Sequence, residues 1–139
     1  MKKTIIIVTA LIKKDDKYLL TKRYDPKRPI VHETWQLVGG GLRFGESILE
    51  CLHREVREET GHQIEVISIL PFIHEKYIKE ENWHGIAFGY LCKLKNISKK
   101  IRLNVEATEY DWFTLMEAKK LKLHHGVSGF LNVVEKVLI

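Results

Sequence analysis

Apolar positions change their spacing several times along this chain, and each change marks an element. Thr4 to Lys13 is rich in isoleucine and valine and predicts a strand. Lys14-Asp15-Asp16-Lys17 is a turn, and Tyr18 to Lys22 returns as a second strand, making a hairpin. Asp25-Pro26-Lys27-Arg28-Pro29 is a proline-punctuated loop. Trp35-Gln36-Leu37-Val38 is a short strand feeding Gly39-Gly40-Gly41, which reads as a loop whose backbone comes close to another group. Leu42-Arg43-Phe44 suggests one more short extended piece. Gln63 to Ile73 alternates as a long strand, interrupted near Pro71, and His84 to Leu94 is a second one. The polar stretch Glu75 to Asn82 between them reads as a connecting loop. Tyr110 to Phe113 is short and extended, and Leu115 to Leu121 suggests a short helix. Val127 to Leu138 predicts a final amphipathic helix with Val127, Phe130, Leu131, Val134 and Leu138 inward.

The stretch from Ser47 to Gly61 is the most sharply delimited. Ser47 with Glu50 three residues on is a capping box, and Gly61 is placed to end the helix it starts. At about 100° per residue, Ile48, Leu49, Leu52 and Val56 form an apolar stripe. That stripe runs into Glu55 and Glu59, with Glu58 beside them. Carboxylates at i, i+3 and i+4 repel one another, and the last turn of a helix disfavours negative charge by roughly 0.3–1 kcal/mol each. Divalent cations remove that repulsion, and clustered carboxylates favour hard ions such as magnesium or manganese. The alternative is a solvated helix laced by Glu50–Arg54 and Arg54–Glu58 pairs.

Taken with the glycines, this stretch resembles the signature of the Nudix (MutT-like) hydrolases. The fixed positions are Gly40, Glu46, Arg54, Glu55, Val56, Glu58, Glu59 and Gly61, eight positions within 22 residues. Two positions depart from the family pattern. His62 stands where an aliphatic residue is usual, and Val38 stands where a proline often precedes the paired glycines. Neither removes a carboxylate. The resemblance implies an α/β fold, the α/β/α sandwich with a mixed sheet between helices, and one domain over 1–139. It also implies Glu55, Glu58, Glu59 and the Gly40 carbonyl as metal ligands, with Mg2+ or Mn2+ bound. Glu46 is a supporting acid, and Arg54, beside Glu50 and Glu58, orients the carboxylates.

The water-activating base varies in position within that family. Glu55 is the first candidate inside the motif. Outside it, the acidic loop before Tyr110-Asp111-Trp112-Phe113 offers Glu106 as the better-spaced acid, both base and further ligand, with Glu109 as the alternative. The catalytic candidates are thus Glu55, Glu106 and Arg54. Arg23, ending the second strand, is the candidate for substrate phosphate, since a guanidinium grips phosphate oxygens bidentately. Trp35, Phe72, Tyr77 and Trp83 could stack on a base, although strand aromatics usually build core. The expected activity is metal-dependent hydrolysis of a nucleoside diphosphate linked to another moiety. A nucleoside triphosphate yielding monophosphate and pyrophosphate ranks first. A dinucleotide or nucleotide-sugar pyrophosphatase and a non-catalytic nucleotide sensor are the competing readings, and the intact carboxylate set argues against the sensor.

Bulk properties narrow this little. The 139 residues are 45% hydrophobic, ordinary for a globular chain. No run approaches the roughly 18 apolar residues of a membrane span. The basic start of the chain lacks a convincing cleavage site, so a first strand in a cytoplasmic protein is expected. Cys51 and Cys92 make no disulfide framework and are expected reduced and packed. None of the seven histidines has zinc-site spacing, and His124-His125 is placed in a loop before the last helix. The formal charge of +5 suits either nucleic acid or a small polyphosphate. Lys93, Lys95, Lys99, Lys100 and Arg102 read as a solvated hairpin. A small nucleotide, no stable nucleic-acid partner and no membrane are therefore expected, and a homodimer is compatible with the sequence. The check is a salt titration: any nucleic-acid binding should be weak and collapse steeply with added salt. Tight binding of single or double strands at physiological salt contradicts it.

Overall fold

A computed structural model describes residues 2–137. Its centre is β1 (Lys3–Lys14), which turns through Asp15 and Asp16 into β2 (Lys17–Arg23). Asp15 takes a left-handed φ of 56°, a conformation aspartate tolerates better than most residues. The chain then makes β3 (Trp35–Gln36) and β4 (Val38–Gly41), followed by α1 (Ile48–Thr60). Two long strands follow, β5 (Ile64–Ile78) and β6 (Trp83–Leu94), then β7 (Ala107–Phe113), α2 (Leu115–Ala118) and α3 (Val127–Val137).

β1 joins the two halves of the sheet. Along one edge it runs parallel to β6, from Lys3↔Trp83 to Ile12↔Cys92, and β5 pairs antiparallel outside β6. It also pairs antiparallel with β4, from Ile7↔Gly41 to Ala10↔Val38. β2 carries β3 and β7, both antiparallel. The sheet is therefore mixed. Period-two alternation in β1 divides its side chains between two cores. Val8, Ala10 and Ile12 pack with Cys51, Leu52 and Val56 of α1. Leu11 packs with Phe130, Leu131 and Val134 of α3. Helices thus cover both faces, which is the expected α/β/α sandwich.

Several local expectations are corrected. Gly39-Gly40-Gly41 is strand, paired to Thr9, Val8 and Ile7, and not a loop. The segment is extended because β1 supplies hydrogen-bond partners that local propensity cannot show. Residues 42–44 are irregular. The polar segment after Ile73 is not a loop either: β5 continues to Ile78, and only Lys79–Glu81 forms a short 3₁₀ turn. The interruption at Pro71 is a register irregularity between Ile69 and Ile73 on an edge strand, where the missing N–H is tolerated. The basic stretch from Lys95 to Arg102 forms no hairpin, because the next strand, β7, pairs across the molecule with β2. On α1, Ile48 and Leu49 are exposed, and the buried face is Cys51, Leu52, Val56, Glu59 and Thr60. Val127, Phe130, Leu131 and Val134 are buried as expected, while Leu138 lies outside the described residues. Both cysteines are free and buried. Among the described residues, no helix is long and apolar enough to cross a membrane.

Candidate active site

α1 is held at both ends by its own sequence. The Glu50 amide donates to Ser47 Oγ at 3.1 Å, and the Ser47 amide donates to Glu50 Oε1 at 2.8 Å. Gly61, at φ 75°, closes the other end with its N–H on the Arg57 carbonyl. His62 is buried, and its Nε2 meets the Lys100 carbonyl at 3.2 Å. A histidine therefore fits an aliphatic position because the ring finds a backbone partner. Glu50 is committed to the cap and takes no part in holding Arg54, contrary to the i,i+4 expectation.

Arg54 instead reaches backward and sideways. Its Nε donates to Glu46 Oε2 at 2.6 Å, Nη1 to Glu55 Oε1 at 2.7 Å and to Glu58 Oε2 at 3.3 Å, and Nη2 to the Gly41 carbonyl at 3.1 Å. The flexible side chain bends across the helix surface to reach Glu55. One guanidinium thus orders three carboxylates and one strand carbonyl. Its hydrogen bonds hold the Glu46 carboxyl down at about 2.

Glu59 is the contrasting acid. Only 5% exposed, it accepts the Gly39 N–H at 3.2 Å. Burial raises its pKa well above the ordinary carboxylate range, and the neighbouring Glu55 and Glu106 add to the rise. Gly40 makes room for this cluster: a Cβ there would lie 2.5 Å from the Glu55 carboxylate. Glu106 lies close enough to Glu55 and Glu58 for their charges to raise its pKa, after burial, while Arg23 opposes the rise. Its backbone is fixed on both sides, by Asn104 Oδ1 on the amide and by the Tyr24 N–H on the carbonyl. Glu109 points elsewhere and pairs with Lys22 at 3.4 Å on the exposed side of β2. Glu106 thus feels the charges of Glu55 and Glu58, and Glu59 those of Glu55 and Glu106, while Glu109 is engaged by Lys22. Arg23 is anchored by Asp25 Oδ2 at 3.0 Å and by Gln36 Oε1 at 3.2 Å.

This donor set fits a hard divalent ion. All its donors are oxygens, one carboxylate is buried at a raised pKa, and a missing Cβ keeps the strand against the acids. As the side chains stand, no three acids or imidazoles among the described residues converge tightly on one point. Arg54 occupies the Glu55 oxygen that an ion would otherwise share.

A NUDIX domain model matches residues 2–132. The chain belongs to the Nudix family. It is 34% identical over 114 residues to the nucleoside triphosphatase NudI of Escherichia coli O139:H28, covering 76% of this chain and 79% of that one. Its fold superposes on the MutT NUDIX hydrolase of Burkholderia pseudomallei with a TM-score of 0.81 at 25% identity, over 96% of this chain and 99% of that one. The MutT protein of Methanosarcina mazei Go1 gives 0.77 at 25% identity, over 98% and 96%. As a Nudix enzyme the chain is a hydrolase of phosphoric anhydride bonds, acting on small nucleotide substrates. Enzymes of this family generally use divalent metal ions.

Across the sheet from α1, a cavity of about 380 Å³ lies over the α3-facing side. Small residues open it: Gly39 and Gly41 on β4, and Gly85 and Ala87 on β6. Arg23, Gln36 and Trp83 line it. The other aromatic candidates do not. Trp35 packs edge-on against Phe113 at 5.0 Å, Phe72 against Phe130 at 4.9 Å, and Tyr77 lies exposed beside His84. Sequence reasoning missed His74, His124 and His125, which also line the cavity. Their one signal is the His-His-Gly run immediately ahead of α3. Gly126, at φ 88°, lets that loop close on His74, since a Cβ there would lie 2.6 Å from the imidazole.

Burial, then neighbouring charge, holds His124 down at about 3 and His125 at about 4, and lowers His74. The unfolded chain therefore protonates these rings first, near the ordinary value of about 6.5. Their contribution to stability is complete above that pH and is lost as pH falls toward about 4 and 3. Urea midpoints should accordingly drop below pH 6 and drop less in the double variant His124→Gln/His125→Gln. An equal drop in both proteins contradicts this.

Proposed function

We propose that the chain is a divalent-metal-dependent pyrophosphohydrolase acting on nucleoside diphosphates linked to another moiety. A nucleoside triphosphate is the first-ranked substrate, giving the monophosphate and pyrophosphate. The observation that carries the proposal is that, in a Nudix-family chain, Arg54 orders Glu46, Glu55 and Glu58, with Glu106 near enough to feel the charges of Glu55 and Glu58. The name of the NudI relative supports a nucleoside triphosphate.

Glu55, Glu58, Glu59, Glu106 and the Gly40 carbonyl are the residues that would hold the metal. Magnesium or manganese, when bound, supplies charge neutralisation, polarisation of a phosphoryl oxygen and acidification of water. The remaining work falls to the chain itself. Arg54 keeps Glu46, Glu55 and Glu58 oriented without binding substrate. Arg23, already fixed by Asp25 and Gln36, offers a preorganised charge to a phosphate oxygen. Glu106 accepts the proton of the attacking water at its carboxylate. Its raised pKa suits that task, because a base works best when its pKa approaches the working pH. Water oxygen bonds to phosphorus as the bridging P–O bond breaks, and the leaving phosphate takes the electron pair.

Two measurements test this. Activity on a nucleotide panel should disappear in excess chelator and return with magnesium or manganese; unchanged activity in chelator rules the reading out. Glu106→Gln should lower kcat by roughly 10²-fold, the scale of losing a positioned base, with a smaller change in KM. Glu109→Gln should be mild. A crippling Glu109→Gln with a silent Glu106→Gln, or full rates in both, overturns the assignment.

A further inference from the structure

Between β6 and β7 the chain crosses the molecule without regular structure, since residues 95–106 form neither helix nor strand. A segment with no ladder of its own takes its geometry from the groups it touches. Three of these lie on consecutive residues at the end of α1. The Arg102 N–H donates to the Thr60 carbonyl at 2.9 Å. The Lys99 ammonium donates to the Gly61 carbonyl at 2.9 Å. His62 Nε2 lies 3.2 Å from the Lys100 carbonyl. A carbonyl only accepts, so that ring nitrogen carries the proton. The crossover thus pairs a carbonyl that the helix end leaves free, and it sets a cation where the macrodipole favours one.

The same segment delivers Glu106, four residues beyond Arg102. Its far end is tied down by the Tyr24 N–H on the Glu106 carbonyl at 2.8 Å, and Asn104 Oδ1 holds the Glu106 amide at 3.0 Å. Glu106 is therefore located between two anchors. One is the end of β2. The other is the turn of α1 that carries Glu58 and Glu59. His62 is the side chain that α1's own end contributes to the second anchor, and it is 2% exposed. A leucine would fill the same space, and a buried imidazole is unfavourable unless it is hydrogen-bonded. What the histidine adds over an aliphatic residue is a directional bond to the crossover.

We propose that His62 is a positioning residue: by holding the Lys100 carbonyl against the end of α1, it fixes where Glu106 stands relative to Glu55 and Glu58. The proposal rests on Glu106 being the base of the proposed hydrolysis and adds the residue that sets its place. His62 acts through Glu106, so its loss should slow the chemical step and leave nucleotide binding nearly unchanged.

The test compares His62→Leu with His62→Gln, each with and without Glu106→Gln. Glutamine can return an N–H donor to the Lys100 carbonyl, and leucine cannot. In His62→Leu, kcat should fall about tenfold, short of the roughly 10²-fold that a 1 Å misplacement can cost, with KM within about twofold. His62→Gln should recover most of that loss. In the Glu106→Gln background, His62→Leu should lower kcat no further, because both changes act through one group. Hydrogen exchange of the Arg102 amide, read by NMR without nucleotide or metal, follows the anchor independently of turnover. In the unaltered chain it should be as protected as the last turn of α1. In His62→Leu it should exchange at least about tenfold faster, as local opening becomes easier, and His62→Gln should restore protection. An unprotected Arg102 amide in the unaltered chain, unchanged exchange or full kcat in His62→Leu, or an equal fall in kcat with and without Glu106 overturns the proposal. A silent Glu106→Gln removes the base assignment on which the proposal was framed, and the exchange rates then decide whether His62 holds the crossover.

Discussion

A single guanidinium holds this site together. Glu58 and Glu59 lie in the last turn of α1, where the macrodipole already opposes negative charge, and Glu46 and Glu55 share a guanidinium with Glu58. Arg54 answers three of them directly, with contacts from 2.6 Å to 3.4 Å, and ties the same cluster to the Gly41 carbonyl. Glu59 is left to a backbone amide and to burial, and its raised pKa follows. The cluster thus combines acids tied to a guanidinium with one that is reluctant to ionise. A bound cation would relieve the second while sharing the first with Arg54.

The sheet determines where that cluster can face. β1 turns alternate side chains to two cores, and β4 lies along it as a strand of glycines. Gly40 admits Glu55 on the α1 side, while Gly39 and Gly41 border the cavity on the other. A strand with almost no side chains therefore brings the acidic helix and the cavity within one strand's thickness. Stability and chemistry pull against each other here, since buried Glu59 adds nothing to an apolar core that a leucine would not supply better.

What could be read from the sequence divides along the same line. Ser47, Glu50 and Gly61 act within a few residues of the helix they bound, so α1 was legible to the residue. The alternation of β1, β6 and α3 was legible for a similar reason. The glycine strand was not, because its extended form depends on β1 some thirty positions away. The true partners of Arg54 include Glu46, eight residues back, beyond the i,i+4 rule that paired it with Glu50. Glu106 could be ranked over Glu109 by spacing, but its distance from α1 depends on β7 crossing to β2. His74 meets His125 only because a loop closes over β5, and no local pattern announces a contact across fifty residues.

The central claim is that the α1 acids and Glu106 form one divalent-cation site, and manganese binding tests it most directly. Free manganese is followed by electron paramagnetic resonance while protons are counted in a weakly buffered solution. The account predicts saturable binding with proton release, because an acid with a raised pKa must ionise to become a ligand. In Glu59→Gln, binding should weaken and proton release should fall. Manganese binding of the same strength, with the same proton count, in Glu59→Gln contradicts the account.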